Sequence, residues 1–236
     1  MKQGSKEWLA WRNLGLGASD APTIMNESPW KTRFELWTEK TKLLPPAEVN
    51  PFARKIMDRG NELEPEARAL YIKRTGIEVA PETFIHPQHA FIRASLDGWN
   101  AEKKHILELK CPMKTGMAEA RKGIISPKYK WQLVQQFLVT DAETLDYAVY
   151  NPPPKDAPAG TEGELYIMQF HRDRNAEAIL LEELIKFWDL VQTETPPEAD
   201  FSQLDQLMQK MNDDFEKIQK TLKVMNKIAD VLRGQQ

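Results

Sequence analysis

The sequence predicts an α/β fold in which helices flank a mixed central β-sheet, followed by a C-terminal helical arm. Three observations lead to this prediction. Apolar residues have helical spacing before Gly76, short strand-like segments alternate with helices after it, and apolar residues recur every three or four positions from Phe201 onward. Strands that alternate with helices are typical of a sheet covered on both sides by helices.

The N-terminal part is predicted to be helical. After a first short helix, the run Ser19-Asp20-Ala21-Pro22 has the features of a helix start, with a hydroxyl cap and a proline in the first turn. Two further helices are predicted over residues 34–41 and 52–74, and the second of them ends at Gly76.

Beyond Gly76 the apolar period changes to that of strands. Strands are predicted over 77–85, 91–95, 106–110, 145–150 and 164–170. Helices are predicted between and after them, over 114–122, 128–139 and 176–191. This order predicts a mixed sheet with helices on its faces.

Pro196-Pro197 marks a predicted boundary between a domain over residues 1–195 and an arm over residues 196–236. Apolar residues between Phe201 and Leu232 follow the a/d pattern of a coiled coil, and a long amphipathic helix lying on its own domain has the same pattern. Phe and Met in this seam suit an irregular surface. We therefore expect the arm to pack on the first domain, within or between subunits.

The composition excludes several classes of protein. The net charge is −3, so the bulk composition gives no signal for binding a polyanion. Cys111 has no second cysteine to pair with, which excludes a disulfide-stapled secreted domain. No signal peptide and no apolar stretch of membrane-spanning length is visible in the sequence. These features predict a protein of a reducing compartment.

Residues 95–112 contain the side chains that indicate chemistry. Strand spacing places Glu108 and Lys110 on one face, and Asp97 is expected at the end of the preceding strand, facing Glu108 across a hairpin. Two carboxylates and the backbone carbonyl of Leu109 form an all-oxygen site suited to Mg²⁺ or Mn²⁺. The Lys110 ammonium is placed to orient a water or to balance phosphoryl charge. A solvent-facing Glu-x-Lys strand is the plain structural alternative.

The order of several motifs resembles lambda exonuclease and the YqaJ-type viral recombinases, which belong to the PD-(D/E)XK nuclease superfamily. The resemblance spans about residues 5–190. It rests on these segments: Trp8-Leu9-Ala10-Trp11-Arg12, Gly17-Ala18-Ser19-Asp20, Gly60 to Glu64, Ser95-Leu96-Asp97-Gly98, Glu108-Leu109-Lys110-Cys111-Pro112 and Gln132 through Thr140.

The resemblance implies a restriction-endonuclease-like core with Asp97, Glu108 and Lys110 as catalytic residues. The metal would be held by Asp97, Glu108 and the carbonyl of Leu109, as a pair of Mg²⁺ ions for which Mn²⁺ could substitute. Glu64 on the long helix and Gln132 on a later helix are expected to line the same site.

The resemblance also implies a pocket for the 5′ phosphate of a DNA end, formed here by Arg12, Ser19 and Ser95. A hydroxyl and free amides at a helix start would favour an anion at Ser19. The family's second phosphate-binding arginine falls on Gly116 in this sequence. We expect Lys114 or Arg121 to take its place.

The function implied by the resemblance is a metal-dependent 5′-to-3′ exonuclease on linear double-stranded DNA. It would release 5′ mononucleotides and leave a 3′ single-stranded overhang. A ring-shaped homotrimer, a single-strand annealing protein as partner and a phage or prophage product in the host cytoplasm are also implied. The alternatives are an endonuclease of the same superfamily and a DNA-end-binding scaffold that acts through its C-terminal heptads.

Two further features bear on DNA binding. Between Glu102 and Lys130 there are eight basic residues against three acidic ones, although the whole chain is acidic. A solvated helical face would have the same charge pattern. Trp30 and Trp99 are both candidates for contact with DNA, and the sequence does not rank them.

Overall fold

The structure is a computed structural model of the chain. It describes residues 3–43 and 51–198, except for the side chains of Lys114 and Thr115, together with four helical residues further along: Phe215, Glu216, Gln219 and Leu222. The chain divides into one unit over Met1–Pro197 and a second over Glu198–Gln236. Apart from these four residues the heptad arm lies outside the described residues, so its packing stays a prediction.

The helices and strands of the first unit alternate as the fold class requires. The helices are α1 (Lys6–Arg12), α2 (Ala21–Ile24), α3 (Arg33–Thr41), α4 (Pro51–Thr75), α5 (Lys114–Ala120), α6 (Lys130–Val139) and α7 (Arg174–Gln192). The strands are β1 (Leu16–Gly17), β2 (Ala80–Ile85), β3 (Ile92–Asn100), β4 (His105–Lys110), β5 (Thr144–Asn151) and β6 (Glu164–Phe170). All the predicted elements of this unit are present, and the two-residue strand β1 is an addition. The predicted mixed α/β fold is confirmed.

All six strands belong to one mixed sheet that forks at β3. Strand β2 lies antiparallel along one edge of β3, from Arg93 to Trp99. The other edge is shared, because β1 pairs in parallel with its first two residues and β4 pairs in antiparallel with residues 98–100. Strands β5 and β6 extend the sheet beyond β4. A gap therefore opens along β3 between β1 and β4, at residues 94–97.

Strand β3 also bulges at this gap. Ala80 of β2 pairs with Trp99 of β3, and Glu82 pairs with Leu96. Between these two pairs, β2 advances by two residues whereas β3 advances by three. An extra residue in one strand re-aims the side chains next to it, and such bulges are common beside active sites. Asp97 therefore lies inside a nine-residue strand, and the prediction that it ends a shorter strand is wrong. The reason is that the bulge breaks the alternation by which strands are recognised in sequence.

Helices cover the two faces of the sheet with separate apolar clusters. On one face α2, α3, α6 and α7 pack against β3, β4 and β5 around Leu36, Ile106, Phe137 and Phe187. On the other face α4 packs through Ala67, Leu70 and Tyr71 against Leu107, Leu109 and Tyr150. Consecutive residues of β4 thus face different helices, which places Glu108 toward α6. No helix among the described residues combines the length and the hydropathy needed to cross a bilayer.

Local signals explain where several helices begin. Thr32 and Glu35 form a reciprocal capping box at α3, and the Asp173 side chain accepts hydrogen bonds from the first amides of α7. Ser19 differs from its prediction as a helix cap. It lies inside a short 3₁₀ turn, Ala18–Asp20, in which the Gly17 amide donates to the Asp20 carboxylate. Its hydroxyl is thereby left to accept from Arg12.

Candidate active site

At the fork of the sheet, the side chain of Asp97 accepts a hydrogen bond from a main-chain N–H of β4 that has no partner on the backbone of β3. The main-chain N–H of Leu109 on β4 donates to Oδ2 of Asp97 over 2.8 Å, beyond the point where β3 and β4 cease to pair. The Asp97 side chain is thereby fixed against the strand that carries Glu108 and Lys110. A side chain on Gly98 would be tightly packed, because a Cβ there would stand 3.0 Å from the Cβ atoms of Leu107 and Val79.

Glu108 is the most enclosed carboxylate of the site, with 1% of its surface exposed. Its Oε1 accepts hydrogen bonds from Lys110 Nζ at 2.5 Å and from Gln132 Nε2 at 2.6 Å. Its Oε2 accepts from Gln136 Nε2 at 2.5 Å. Gln132 and Gln136 lie one turn apart on α6, so that helix determines the orientation of the carboxylate. Gln135 points away from Glu108. Its side-chain amide donates to the main-chain carbonyls of Leu16 on β1 and Arg93 on β3, and these two hydrogen bonds link the strands.

The charges of the site are strongly coupled. Burial raises the pKa of Asp97 well above its usual value, and the carboxylates of Glu108 and Glu64 raise it further. Burial lowers the pKa of Lys110, but Glu108 and Asp97 raise it by more, so the net shift is upward. Lys110 is therefore a cation at neutral pH, stabilised by the carboxylates of Glu108 and Asp97.

Glu64 joins the site from α4, on the opposite face of the sheet. Its carboxylate pairs with the guanidinium of Arg68 one turn later, and Arg68 Nε donates to the main-chain carbonyl of Asp97 over 2.7 Å. Burial raises the pKa of Glu64, the Arg68 charge lowers it, Glu108 raises it, and the net shift is upward. The structure thus brings together Asp97, Glu108, Lys110, Glu64 and Gln132, and their catalytic and metal-binding roles stay predictions.

The chemistry of these donors fits a hard divalent cation. Three carboxylates gather here, and the pKa values of Asp97 and Glu64 are raised, so a bound Mg²⁺ would balance their negative charge. The available ligand atoms are all oxygens. Within residues 3–43 and 51–198, no group of three or more Asp, Glu, His or Cys side chains is arranged to hold a metal ion. The predicted ligand set needs only two such side chains, Asp97 and Glu108, with the carbonyl of Leu109 as the third donor.

A second polar cluster joins α1 to β3 at the same gap. Arg12 Nη2 donates to the Ser19 hydroxyl over 2.9 Å, and the Arg12 guanidinium lies over the ring of Trp8 at 5.3 Å. Trp8 Nε1 in turn donates to the hydroxyl of Ser95 over 3.1 Å. The three residues predicted for a terminal phosphate are therefore connected through Trp8, and Ser95 precedes Asp97 by two residues on β3.

A buried ion pair supports the turn that presents Ser19. Lys40 Nζ lies 2.7 Å from Asp20 Oδ2 and donates to the carbonyl of Gly15 over 2.7 Å, with both charged side chains 9% exposed. Burial raises the pKa of Asp20, but the charges of Lys40 and Arg12 lower it by more. Gly15 is needed because a Cβ there would stand 2.1 Å from the carbonyl oxygen of Phe91.

The position of the family's second arginine is closed to any side chain here. A Cβ on Gly116 would meet Pro112 Cβ at 2.4 Å. Of the two expected substitutes, the side chain of Lys114 lies outside the described residues. Arg121 Nη2 pairs with Glu164 Oε2 at 2.8 Å on the strand β6, so the structure gives it a partner away from Asp97 and Glu108.

Two contributors were not predicted for these sites. Arg68 holds Glu64 and the Asp97 main chain, and Trp8 links Arg12 to Ser95. Helical spacing was the available signal, because Glu64 and Arg68, and Trp8 and Arg12, are each four residues apart. The sequence also indicates Gln132, Gln135 and Gln136 as polar groups that could point into the cleft, and the structure directs Gln132 and Gln136, but not Gln135, to Glu108. The bulge at Asp97 had no local signal beyond Gly98.

The chain is similar to two curated proteins without an assigned function. It is 35% identical over 134 residues to the uncharacterized protein YqaJ of Bacillus subtilis (strain 168), covering 56% of this chain and 41% of that protein. It is 29% identical over 160 residues to the uncharacterized protein R354 of Acanthamoeba polyphaga mimivirus, covering 62% of this chain and 28% of that protein. The chain thus spans less than half the length of these relatives.

Solved structures of exonucleases share the fold. The alkaline exonuclease LHK-Exo from Laribacter hongkongensis is 26% identical with a TM-score of 0.64, covering 88% of this chain and 100% of that one. A structure of LHK-Exo in complex with dAMP is 25% identical with a TM-score of 0.65 over the same shares. A phage-related exonuclease from Haemophilus somnus 129PT, 18% identical with a TM-score of 0.54, covers 78% of this chain and 98% of that one and supports the fold alone.

The family model for the YqaJ-like viral recombinase domain matches residues 7–143. The match includes the segments that carry Arg12, Glu64, Asp97, Glu108 and Gln132, and it covers more than half of the sequence. The chain belongs to the YqaJ-like viral recombinase domain family.

Proposed function

We propose that this protein is a metal-dependent exonuclease that degrades one strand of linear double-stranded DNA from its 5′ end. It releases 5′ mononucleotides and leaves a 3′ single-stranded tail for recombination by strand annealing. One observation carries the proposal. The buried cluster of Asp97, Glu108 and Lys110 lies beside a second cluster whose donors suit a terminal phosphate. The second cluster consists of Arg12, Ser19 and Ser95, and Ser95 precedes Asp97 by two residues on β3.

Asp97, Glu108 and the carbonyl of Leu109 would hold a pair of Mg²⁺ ions, for which Mn²⁺ could substitute. When bound, the metal supplies Lewis-acid polarisation of the scissile phosphate. Gln132 and Gln136 keep Glu108 oriented, and the Arg68 guanidinium holds both Glu64 and the Asp97 main chain. The chain therefore supplies a site that is arranged before the substrate arrives.

Lys110 acts as a cation and not as a base in this proposal. Its raised pKa keeps Nζ protonated at neutral pH, since the carboxylates of Glu108 and Asp97 stabilise the charge. A protonated amine at this point orients the attacking water through its N–H groups and balances negative charge that develops on the phosphoryl oxygens.

Arg12, Ser19 and Ser95 would hold the 5′ phosphate. A guanidinium gives two parallel hydrogen bonds to a phosphate, and the two hydroxyls add donors. Two residues of β3 span about 7 Å, which brings a phosphate at Ser95 within about one nucleotide of Asp97. Binding of dAMP by LHK-Exo supports a mononucleotide product for the family.

The assembly and cellular setting are part of the same proposal. A homotrimeric ring would enclose the DNA, a single-strand annealing protein would take up the exposed 3′ strand, and the protein would act in the cytoplasm of a bacterial host as a phage or prophage product. A molar mass of three chains in light scattering supports the ring, and a monomer contradicts it.

The deciding experiment compares DNA ends. Linear duplex with a labelled 5′ end, the same duplex with a labelled 3′ end and covalently closed circular DNA are incubated with Mg²⁺. We expect labelled mononucleotides to appear first from the 5′ end, with no cutting of circles. Efficient cleavage of circles supports the endonuclease alternative, and binding of linear ends without cleavage in Mg²⁺ or Mn²⁺ supports the scaffold alternative.

A further inference from the structure

An exposed indole, a partly buried tyrosine ring and a lysine form an aromatic and cationic surface at the entrance to α6, with the two rings tilted by 36°. Trp30 is 63% exposed, and its ring centroid lies 6.0 Å from that of Tyr129. Lys128 Nζ lies over both rings, 5.4 Å from the centroid of Trp30 and 5.1 Å from that of Tyr129. We call Trp30, Lys128 and Tyr129 the Trp30 platform.

The platform adjoins the proposed reaction centre. Lys110 Nζ lies 4.6 Å from the centroid of the Tyr129 ring, on the side of the site where Lys110 contacts Glu108. Tyr129 also immediately precedes α6, the helix that carries Gln132 and Gln136. One aromatic ring therefore separates Trp30 from the ammonium group that faces the scissile phosphate.

The exposure of Trp30 distinguishes it from other tryptophans of the chain. Trp99 packs edge-on against Phe84 at 5.2 Å as part of the core, and Trp37 donates its indole N–H to the carbonyl of Leu190. Trp30 lies outside the core, in a turn held by the Ser28 hydroxyl, which accepts from the main-chain N–H groups of Trp30 and Lys31. A large apolar ring is thus kept in water by a defined turn.

We propose that the Trp30 platform stacks a nucleobase of the DNA strand next to the scissile phosphate. This inference rests on the proposed nuclease function and adds a binding site to it. The ligand must offer a planar aromatic face and a nearby phosphate, since the platform combines π-faces with a cation and lies beside Lys110. Base faces within a duplex are covered by their neighbours, so the stacked base is unpaired or terminal.

The test uses 2-aminopurine, whose fluorescence falls when it stacks on an aromatic ring. The base is placed at each of the first four positions of 5′-phosphorylated single strands and of duplex ends. Binding is measured with full-length protein carrying Asp97→Asn in EDTA, which removes both hydrolysis and a negative charge. We expect quenching at one position near the 5′ end.

Variants then assign that quenching to the platform. Trp30→Ala should abolish it and weaken binding by at least about fivefold, the lower end of what one stacked base contributes. Trp30→Phe should restore most of both, because a ring remains. Lys128→Ala should weaken binding by a smaller factor. Ile179→Ala and Lys155→Ala, which change an exposed apolar and an exposed basic side chain elsewhere, should match the parent.

The outcomes separate this inference from the proposed function. Unchanged quenching in Trp30→Ala, or equal losses in Trp30→Ala and Trp30→Phe, overturns the platform while leaving the nuclease intact. Loss of the preference for a 5′ phosphate in Trp30→Ala also overturns it, because that preference belongs to Arg12. Absence of any DNA binding by the parent overturns the proposed function and the platform together.

Discussion

Ser95 and Asp97 stand two residues apart on β3, yet the clusters around them differ in burial and in the number of their partners. Around Asp97, the carboxylate of Glu108 accepts three hydrogen bonds and is almost wholly enclosed. Around Ser95, one hydrogen bond joins Trp8 to Ser95 and another, exposed one joins Arg12 to Ser19, and the Arg12 guanidinium over the Trp8 ring links the two pairs. The Glu108 carboxylate is therefore satisfied by partners within the folded protein, whereas the cluster around Ser95 keeps donors that can bind a ligand.

This difference decides how each cluster should respond to mutation. Interactions between charges are stronger at low dielectric, and a buried group that loses its partner is costly. Changes around Glu108 should therefore affect rate and stability together. Changes around Arg12 should instead affect the preference for substrates with a 5′ phosphate. The stability of the fold should change little, because water replaces the lost partner at this exposed site.

The largest effect is expected at Glu108. Glu108→Gln keeps the shape of the side chain but removes the charge that pairs with Lys110 and would hold the metal. Cleavage in Mg²⁺ should fall by at least about a thousandfold, the loss expected from several kcal/mol of transition-state stabilisation. Single-turnover assays measure this, with Glu62→Gln on the exposed side of α4 as the matched control. A near-normal rate would show that the site is assigned wrongly.

The glutamines of α6 provide a sharper contrast. Gln136→Leu removes a donor to Glu108, so activity should fall by about ten- to a hundredfold, as for other groups that orient ligands. Gln135→Leu removes donors to two main-chain carbonyls and should instead lower the free energy of unfolding by about 1–3 kcal/mol. Urea unfolding and single-turnover rates are measured for both. The same loss of activity per folded molecule in the two variants would contradict the assignment.

The phosphate cluster should show a narrower response. In Arg12→Ala the preference for 5′-phosphorylated over 5′-hydroxyl duplex should fall by about tenfold, since one charge-assisted pair of hydrogen bonds is lost. Arg12→Lys should lose most of it too, because an ammonium lacks the two-pronged geometry. Arg121→Ala should leave the ratio unchanged, as Arg121 is paired with Glu164. An unaltered ratio in Arg12→Ala would remove Arg12 from the phosphate site.

The smallest effect concerns stability and pH. The pKa of Asp97 is raised in the folded protein, so folding retains an unfavourable charge at pH values above the folded pKa. This cost begins to fall below the folded pKa and is gone below the pKa of the unfolded chain. Asp97→Asn in EDTA should therefore raise the free energy of unfolding at neutral pH by on the order of 1 kcal/mol. For a domain of this size, that corresponds to a rise in Tm of about 2–4 °C. The difference should shrink as the pH is lowered. Thermal melts across pH check this, and a lower Tm for the variant at neutral pH would contradict it.

Several features were predictable because they depend on neighbouring residues. The spacing of Glu108 and Lys110, the helix that carries Gln132 and the segment types from Gly76 to Val191 all follow from local periodicity. Ser19 was wrongly predicted as a helix cap, since the choice between a cap and a 3₁₀ turn depends on Asp20 receiving the Gly17 amide and Lys40. The preference between Trp30 and Trp99 depended on burial, which only packing reveals.

The sequence by itself determined the types of the elements, their order along the chain, and the motif residues Asp97, Glu108 and Lys110. Tertiary structure decided the fork between β1 and β4, the bulge at Asp97 and the link through Trp8. The physical reason is the range of the interactions. Periodicity reports hydrogen bonds and burial within a few residues, whereas the Trp8–Ser95 bond joins residues 87 positions apart. Strand register depends on such distant partners, and no local pattern encodes them.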